Sequence, residues 1–258
     1  MSPVEVLRHP DATAVAESAA ARIITTVVEA QAAAGHAHVC LTGGRIGTAV
    51  LASLAGNPGV DSIDWSRIDL WWGDERYLPA GDPERNETGA RAALIDHVPI
   101  DPARVHAMPT PASSNGDVDT AAQMYAAEMA SSAQPEDHGP VPSFDIMLLG
   151  IGPDAHVASL FPEQPALHDT RSCTAVRGAP KPPPVRISMT LSAINAAKEV
   201  WILGSGAEKA TAVRLALMQE AGAYQVPASA ARGRGRTLFL LDEDAASKLP
   251  AQMGRPSA

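Results

Sequence analysis

Two cysteines, Cys40 and Cys173, are all that the 258 residues contain. They form no CxxC, which leaves no framework for a disulfide scaffold or a thioredoxin-like motif, and Cys40 sits in an apolar run that reads as core. No stretch approaches the ~20 apolar residues of a membrane-spanning helix. The opening MSPVEVLRHPD lacks the apolar segment of a secretory leader. A cytoplasmic protein is therefore expected, with no membrane partner. Basic excess is missing too: 20 Lys and Arg face 29 Asp and Glu, for a net charge of −9. Nucleic acid is excluded as the main partner, because a phosphate backbone needs a basic footprint. There is no GxSxG nucleophile elbow, so a serine esterase is disfavoured. The eight histidines show no HExxH spacing, and no metal site is expected. With no internal repeat and no long low-complexity linker, residues 1–258 read as a single domain.

What is present alternates between strand and helix. Asp11 is placed to cap, and Gly35 to stop, a helix of strongly helical composition. The expected elements after it are a strand at 38–42, a helix at 46–54, a strand at 68–72 and a helix at 88–96. A short strand at 105–108 and a helix from Asp119 to about Ser131 follow, then a Pro-rich linker at 133–143 leading to a central strand from Phe144. Beyond it come a strand at 186–191, a helix at 192–197, a strand at 199–204, a helix at 207–220 and a strand at 237–241. The pattern predicts an α/β fold, a Rossmann-like and mostly parallel sheet with helices on both faces. The residues ahead of His38 read as one Ala-rich helix, and RGRGR at 232–236 as a solvated turn.

Residues 144–162, FDIMLLGIGPDAHVASLFP, carry the strongest functional signal. An apolar run ends at Gly150, turns through Gly152 and Pro153, and presents Asp154 and His156 on a loop. Such a loop at a strand's carboxyl end suits proton transfer, because an imidazole titrates near neutrality; a structural histidine capping the next turn is the alternative. Gly150-x-Gly152-x-x-Ala155 matches a loose dinucleotide pattern, but Asp and His stand where a helix should start. Gly43-Gly44, between a strand and a helix, reads either as a tight turn or as an amide cradle for phosphate. Asp74 and Arg76 follow a buried strand, at the edge where open α/β sheets bind ligands. Arg76 suits a phosphate and Asp74 sugar hydroxyls, unless the two are spent on an internal ion pair. Lys209, near a helix start, suits an anion.

Several segments in one order resemble the 6-phosphogluconolactonase family, which is related to glucosamine-6-phosphate deaminase. GIGPDAHVASLFP is similar to that family's GxGxDGHxASLFP, and WWGDERYLPAGDPERNE to its aromatic-x-x-DER segment. KPPPVRISMTLSAINAAKEVWILGSGAEKA, PAS at 227–229 and FLLDEDAA at 239–246 fit as well, so the resemblance spans about residues 38–246. It departs in two places. Arg45-Ile46-Gly47 stands where Ser-Thr-Pro is usual, and Ala155 replaces a Gly, which would strain the chain if that position needs a positive φ.

The resemblance implies a fold of the NagB/RpiA/CoA-transferase type. It implies hydrolysis of 6-phospho-D-glucono-1,5-lactone to 6-phospho-D-gluconate in the oxidative pentose phosphate pathway. His156 would be the general base toward water, with Asp154 orienting it. Gly43, Gly44, Arg45, Arg76, Arg186 and Lys209 would hold the phosphate. No cofactor is implied; the partner is a small sugar-phosphate lactone, and the chain would act as a monomer or weak homo-oligomer. Two alternatives stand beside this. A glucosamine-6-phosphate deaminase or other sugar-phosphate isomerase would carry GHIGFNEP where this chain has AHVASLFP, with Glu163 the nearby acidic residue. A non-catalytic sugar-phosphate sensor would carry a DNA-binding helix-turn-helix ahead of the domain.

Overall fold

The computed structural model describes residues 3–218 and 221–256. The chain opens with β1 (Val4–His9), α1 (Ala12–Ala34), β2 (Ala37–Leu41), α2 (Gly44–Ala55) and β3 (Ile68–Trp72). After them come β4 (Asp74–Arg76), α3 (Asn86–Ala93), α4 (Val118–Ser132), β5 (Ile146–Gly150) and β6 (Cys173–Val176). The last elements are β7 (Arg186–Met189), α5 (Leu191–Ile194), β8 (Glu199–Gly204), α6 (Ala210–Met218), β9 (Arg236–Asp242) and β10 (Arg255–Pro256).

Seven strands form one sheet in the order β10-β1-β9-β8-β5-β2-β3, and every neighbouring pair is parallel. Successive side chains on a strand point to opposite faces. All five residues of β2 are buried, as are all but the first of β8 and β9. Both faces of the sheet centre are therefore covered, which a parallel sheet requires. One apolar core runs through it from Val6 to Leu249. The Asp11 side chain accepts from the Ala14 N–H at the start of α1, and Gly35 ends that helix at φ 82°, as the sequence predicts.

The structure corrects several expectations. A strand, β1, precedes α1 and pairs with β9, where only a helix was expected. Its short run shows no clear period, so the neighbouring strand decides it. Residues 186–189 do not join the main sheet: β7 is the middle strand of a small antiparallel sheet, β4-β7-β6. Asp117, not Asp119, caps α4, accepting from the N–H groups of Asp119 and Thr120. Residues 105–108 make only a bridge, Val105 to Leu70. The third helix starts earlier, at Asn86. Thr190 caps a one-turn α5 in place of the expected 192–197 helix. The sixth helix begins with a 3-10 turn at Ala207–Lys209, and its expected end at 219–220 lies outside the described residues. RGRGR is not simply solvated. Arg232 donates to the carbonyls of Ala216, Ala228 and Ala231, and Arg236 pairs with Glu199 at 2.8 Å.

At the amino end of β3, His106 stacks on buried Trp71 with centroids 3.8 Å apart. Its Nδ1 lies 2.7 Å from Glu128 and its Nε2 3.0 Å from Asp69. Two carboxylates can only accept, so both ring nitrogens donate and the ring is an imidazolium. Burial works against that charge, but the two acids outweigh it and lift His106 to about 9. A folded-state value above the ordinary 6.5 gives stability that is complete below pH 6.5 and lost as pH rises toward about 9. His106→Gln should therefore lower unfolding free energy at pH 6 by roughly 1–3 kcal/mol, and the difference should shrink toward pH 9 in urea melts.

Candidate active site

From its middle the sheet is built in two directions: β2 leads outward to β3, whereas β5 leads to β8 and β9. At such a switch point the loops beyond the carboxyl ends diverge and leave a crevice. A cleft of about 650 Å³ occupies it, lined from the β2–α2 turn, β4, the loop after β5, the 181–186 segment and the β8–α6 turn. Of the nine residues predicted for the site, eight line this cleft: Gly43, Gly44, Arg45, Asp74, Arg76, His156, Arg186 and Lys209. The ninth, Asp154, reaches it through His156.

Asp154 Oδ1 lies 2.5 Å from His156 Nδ1. The carboxylate accepts, so Nδ1 carries a proton and Nε2 is the nitrogen left to face the cleft. Burial would raise the Asp154 carboxyl, yet the hydrogen bond and charge of His156 hold it down at about 2. It is ionised throughout the neutral range. The imidazole packs at 4.6 Å against Phe161 and is 17% exposed. Gly152 makes this arrangement possible: a Cβ there would come within 2.0 Å of His156 Nδ1 and 2.4 Å of Asp154 Oδ1. Ala155 has φ 66°, so the position does demand the left-handed conformation. Its carbonyl accepts from Ala228 N–H at 3.0 Å, which anchors the loop to PAS at 227–229.

Asp74 is buried, with Oδ2 accepting from Ser159 Oγ at 2.5 Å and the Asn86 amide 3.5 Å from Oδ1. It is not spent on an internal pair with Arg76. Arg76 Nη1 donates to the Glu84 carbonyl, while its buried Nε has no hydrogen-bond partner. Arg76 stands directly opposite Arg186 across β4 and β7. Two like charges so placed repel, which an anion between them would relieve. Arg186 is buried and already committed: Nε and Nη2 donate to the carbonyls of Lys181, Pro182 and Pro183. It thereby holds Lys181 at the cleft. Burial, then the nearby Lys181, push the Lys209 ammonium below its ordinary value.

Gly44 begins α2 at φ 75° with no side-chain cap on its first turn. Gly43 is needed for a different reason from the one expected. A Cβ there would come within 1.8 Å of Asn86 Oδ1. Arg45 reaches the cleft rim, fully exposed, and pairs with Glu208. Asn86, Ser159, Lys181 and Glu208 are absent from the predicted site. Their signals were Asn86 at the end of GDPERN, Ser159 in ASLFP, Lys181 in KPPP and Glu208 in GAEKA, all inside motifs already recognised. Glu163 is exposed, tied through its backbone to Tyr224, and does not line the cleft.

Fold and cleft define an α/β protein whose strand-end crevice joins a carboxylate-anchored imidazole to a cation-rich wall. Residues 10–239 match the model of a family described as glucosamine-6-phosphate isomerases/6-phosphogluconolactonase, and the chain belongs to that family. It is 58% identical to a 6-phosphogluconolactonase of Streptomyces coelicolor, over 98% of both chains. It is 46% identical to one of Mycobacterium tuberculosis, over 97% of this chain and 99% of that one. Among solved structures, a devB protein superposes with TM-score 0.83 at 30% identity, over 96% of this chain and all of that one. A monomeric glucosamine-6-phosphate deaminase shares the fold, with TM-score 0.77 at 21% identity over 95% and 99%.

Three terms act on Ala155. Relief of its φ would gain ~1–2 kcal/mol, a lost buried methyl would cost ~0.8 kcal/mol, and the looser unfolded chain of glycine another ~0.4–1 kcal/mol. These nearly cancel, so Ala155→Gly should change stability by less than about 1 kcal/mol. Ala155→Val, β-branched at a positive φ, should cost more than about 2 kcal/mol by the same denaturation assay.

Proposed function

We propose that this chain hydrolyses 6-phospho-D-glucono-1,5-lactone to 6-phospho-D-gluconate. The observation that carries the reading is the His156–Asp154 pair inside a cleft that also presents the uncapped start of α2, Arg76 and Lys209. The two relatives named 6-phosphogluconolactonase, which match nearly the whole chain, support it. His156 Nε2 takes a proton from water as the oxygen attacks the lactone carbonyl carbon. The tetrahedral intermediate collapses with cleavage of the bond from C1 to the ring oxygen. The imidazolium returns its proton to that oxygen, which becomes a hydroxyl, and the carboxylic acid left at C1 releases its proton to solvent and becomes the carboxylate. Asp154 fixes the ring tautomer and offsets the transient positive charge. The 6-phosphate lies against the Gly43 and Gly44 amides, Arg45, Arg76 and Lys209, with Arg186 supporting Lys181, and Asp74 accepts from a sugar hydroxyl.

The exposed position of Glu163 outside the cleft weighs against the deaminase reading, because the segment offers no acidic group to the site. We also read residues 1–258 as one domain, since one core joins both ends of the sheet. A cytoplasmic enzyme, monomeric or weakly associating, completes the reading, with both cysteines free and buried.

Lactone generated by glucose-6-phosphate dehydrogenase should be hydrolysed above its spontaneous rate. His156→Ala should lower kcat by about 10²–10⁴-fold with little change in KM. Equal rates in the two proteins would remove His156 as the base. Arg76→Gln should chiefly raise KM, by about ten-fold or more if a charged hydrogen bond to phosphate is lost. An unaltered KM would take Arg76 out of the phosphate site.

A further inference from the structure

Glu208 is an acidic side chain on a wall otherwise built for anions. Besides Asp74, it is the carboxylate that lines the cleft among the described residues. It follows the turn at Gly206, which takes φ 97° and is pinned from below: Asp242 accepts from Gly206 N–H at 3.0 Å and from Ser205 Oγ at 2.6 Å. The Glu208 carboxylate folds back over this turn, so that a Cβ on Gly206 would meet its Oε2 at 2.4 Å. There it faces Arg45 across the mouth of the cleft, 3.7 Å from Nη2. Its charge also acts on Lys209, the next residue. Arg45 is 97% exposed and Glu208 49%, and an ion pair so exposed is weak and readily exchanged.

We propose that Glu208 competes with phosphate at the mouth of the cleft: its carboxylate holds the position beside Arg45 and Lys209, and a phosphate binds there by exchange with it. The inference rests on the phosphate reading above. A phosphate dianion carries twice the charge of the side chain it displaces and three acceptor oxygens, so it wins the exchange; a singly charged or neutral group gains less. Glu208 thus weakens phosphate binding at this subsite, and a ligand that does not reach the subsite is unaffected. Arg45 supplies the cation that makes the exchange possible.

Glu208→Gln tests this. The variant keeps the shape and removes the charge from a half-exposed position. KM for the phosphorylated lactone should fall by about three-fold at low ionic strength, with kcat unchanged, the scale of one exposed charge pair. The gain should fade near about 0.5 M salt, where the screening length is only a few ångströms. Hydrolysis of unphosphorylated glucono-1,5-lactone should not respond. Calorimetry with inorganic phosphate should show the same tightening of Kd. An unchanged KM and phosphate Kd, an equal effect on the unphosphorylated lactone, or weaker phosphate binding would each overturn the proposal. If the native protein hydrolyses no lactone, the functional reading falls on its own, and the phosphate calorimetry still decides what Glu208 does.

Discussion

The gap beyond the carboxyl ends of β2 and β5 is the constraint on which the rest of this molecule depends. Because the chain leaves those two strands in opposite directions, no single loop can bridge them. Both strands are buried along their length, so the gap sits over a rigid floor. A hydrogen bond from Gly150 N–H to Thr42 Oγ1, 3.3 Å long, ties the two strand ends together below it. The groups that line it stand on strand ends, on the first turns of helices, or on the loops after β5 and before β7.

Around the gap, buried polar groups act as scaffold and leave a few donors open. Glu75 is almost wholly buried, and burial pushes its carboxyl up in spite of nearby Arg85. Its two oxygens accept from the N–H groups of Arg76, Asn86 and Glu87, which caps α3 from β4. Arg85, with no side-chain exposure, pairs with Glu87 at 3.2 Å and donates to the carbonyls of Leu78 and Met108. Burying such charges is costly unless every one is bonded, and here the return is geometric. The network locks Asn86 against Gly43 and Asp74, and leaves the Nε of Arg76 without a protein partner.

The loop after β5 shows the same division between fixed and available groups. Ala155, Ala158 and Glu163 all take positive φ within nine residues of one another. Backbone strain of this kind persists where surrounding contacts over-determine it. Here the contacts are the Ala228 N–H on the Ala155 carbonyl and the Tyr224 hydroxyl and backbone on Glu163. The loop is clamped from the C-terminal third of the chain, and His156 is held by Asp154 and Phe161 at once. One nitrogen of the imidazole is fixed, and the other is free to react.

Much of this was legible in the primary structure. The α/β class follows from strands too short and too apolar to be anything but buried, spaced by helices with recognisable caps at Asp11 and Gly35. The motifs named eight of the cleft residues, and the substitution of Ala155 for glycine announced a strained position before its φ was known. Other features depended on partners distant in sequence. β1 exists because β9 lies beside it, and β7 turns antiparallel because β4 is its neighbour, neither of which local composition encodes. At Gly43 the motif shows an amide at the cleft but not that Asn86 fills the space where a side chain would stand. Arg186 lines the cleft, but only the fold shows that its Nε and Nη2 are bound to three carbonyls of its own loop. Composition and motif determined which groups could react; the fold decided which were spent on structure, because hydrogen bonds and close contacts are settled between residues far apart in the chain.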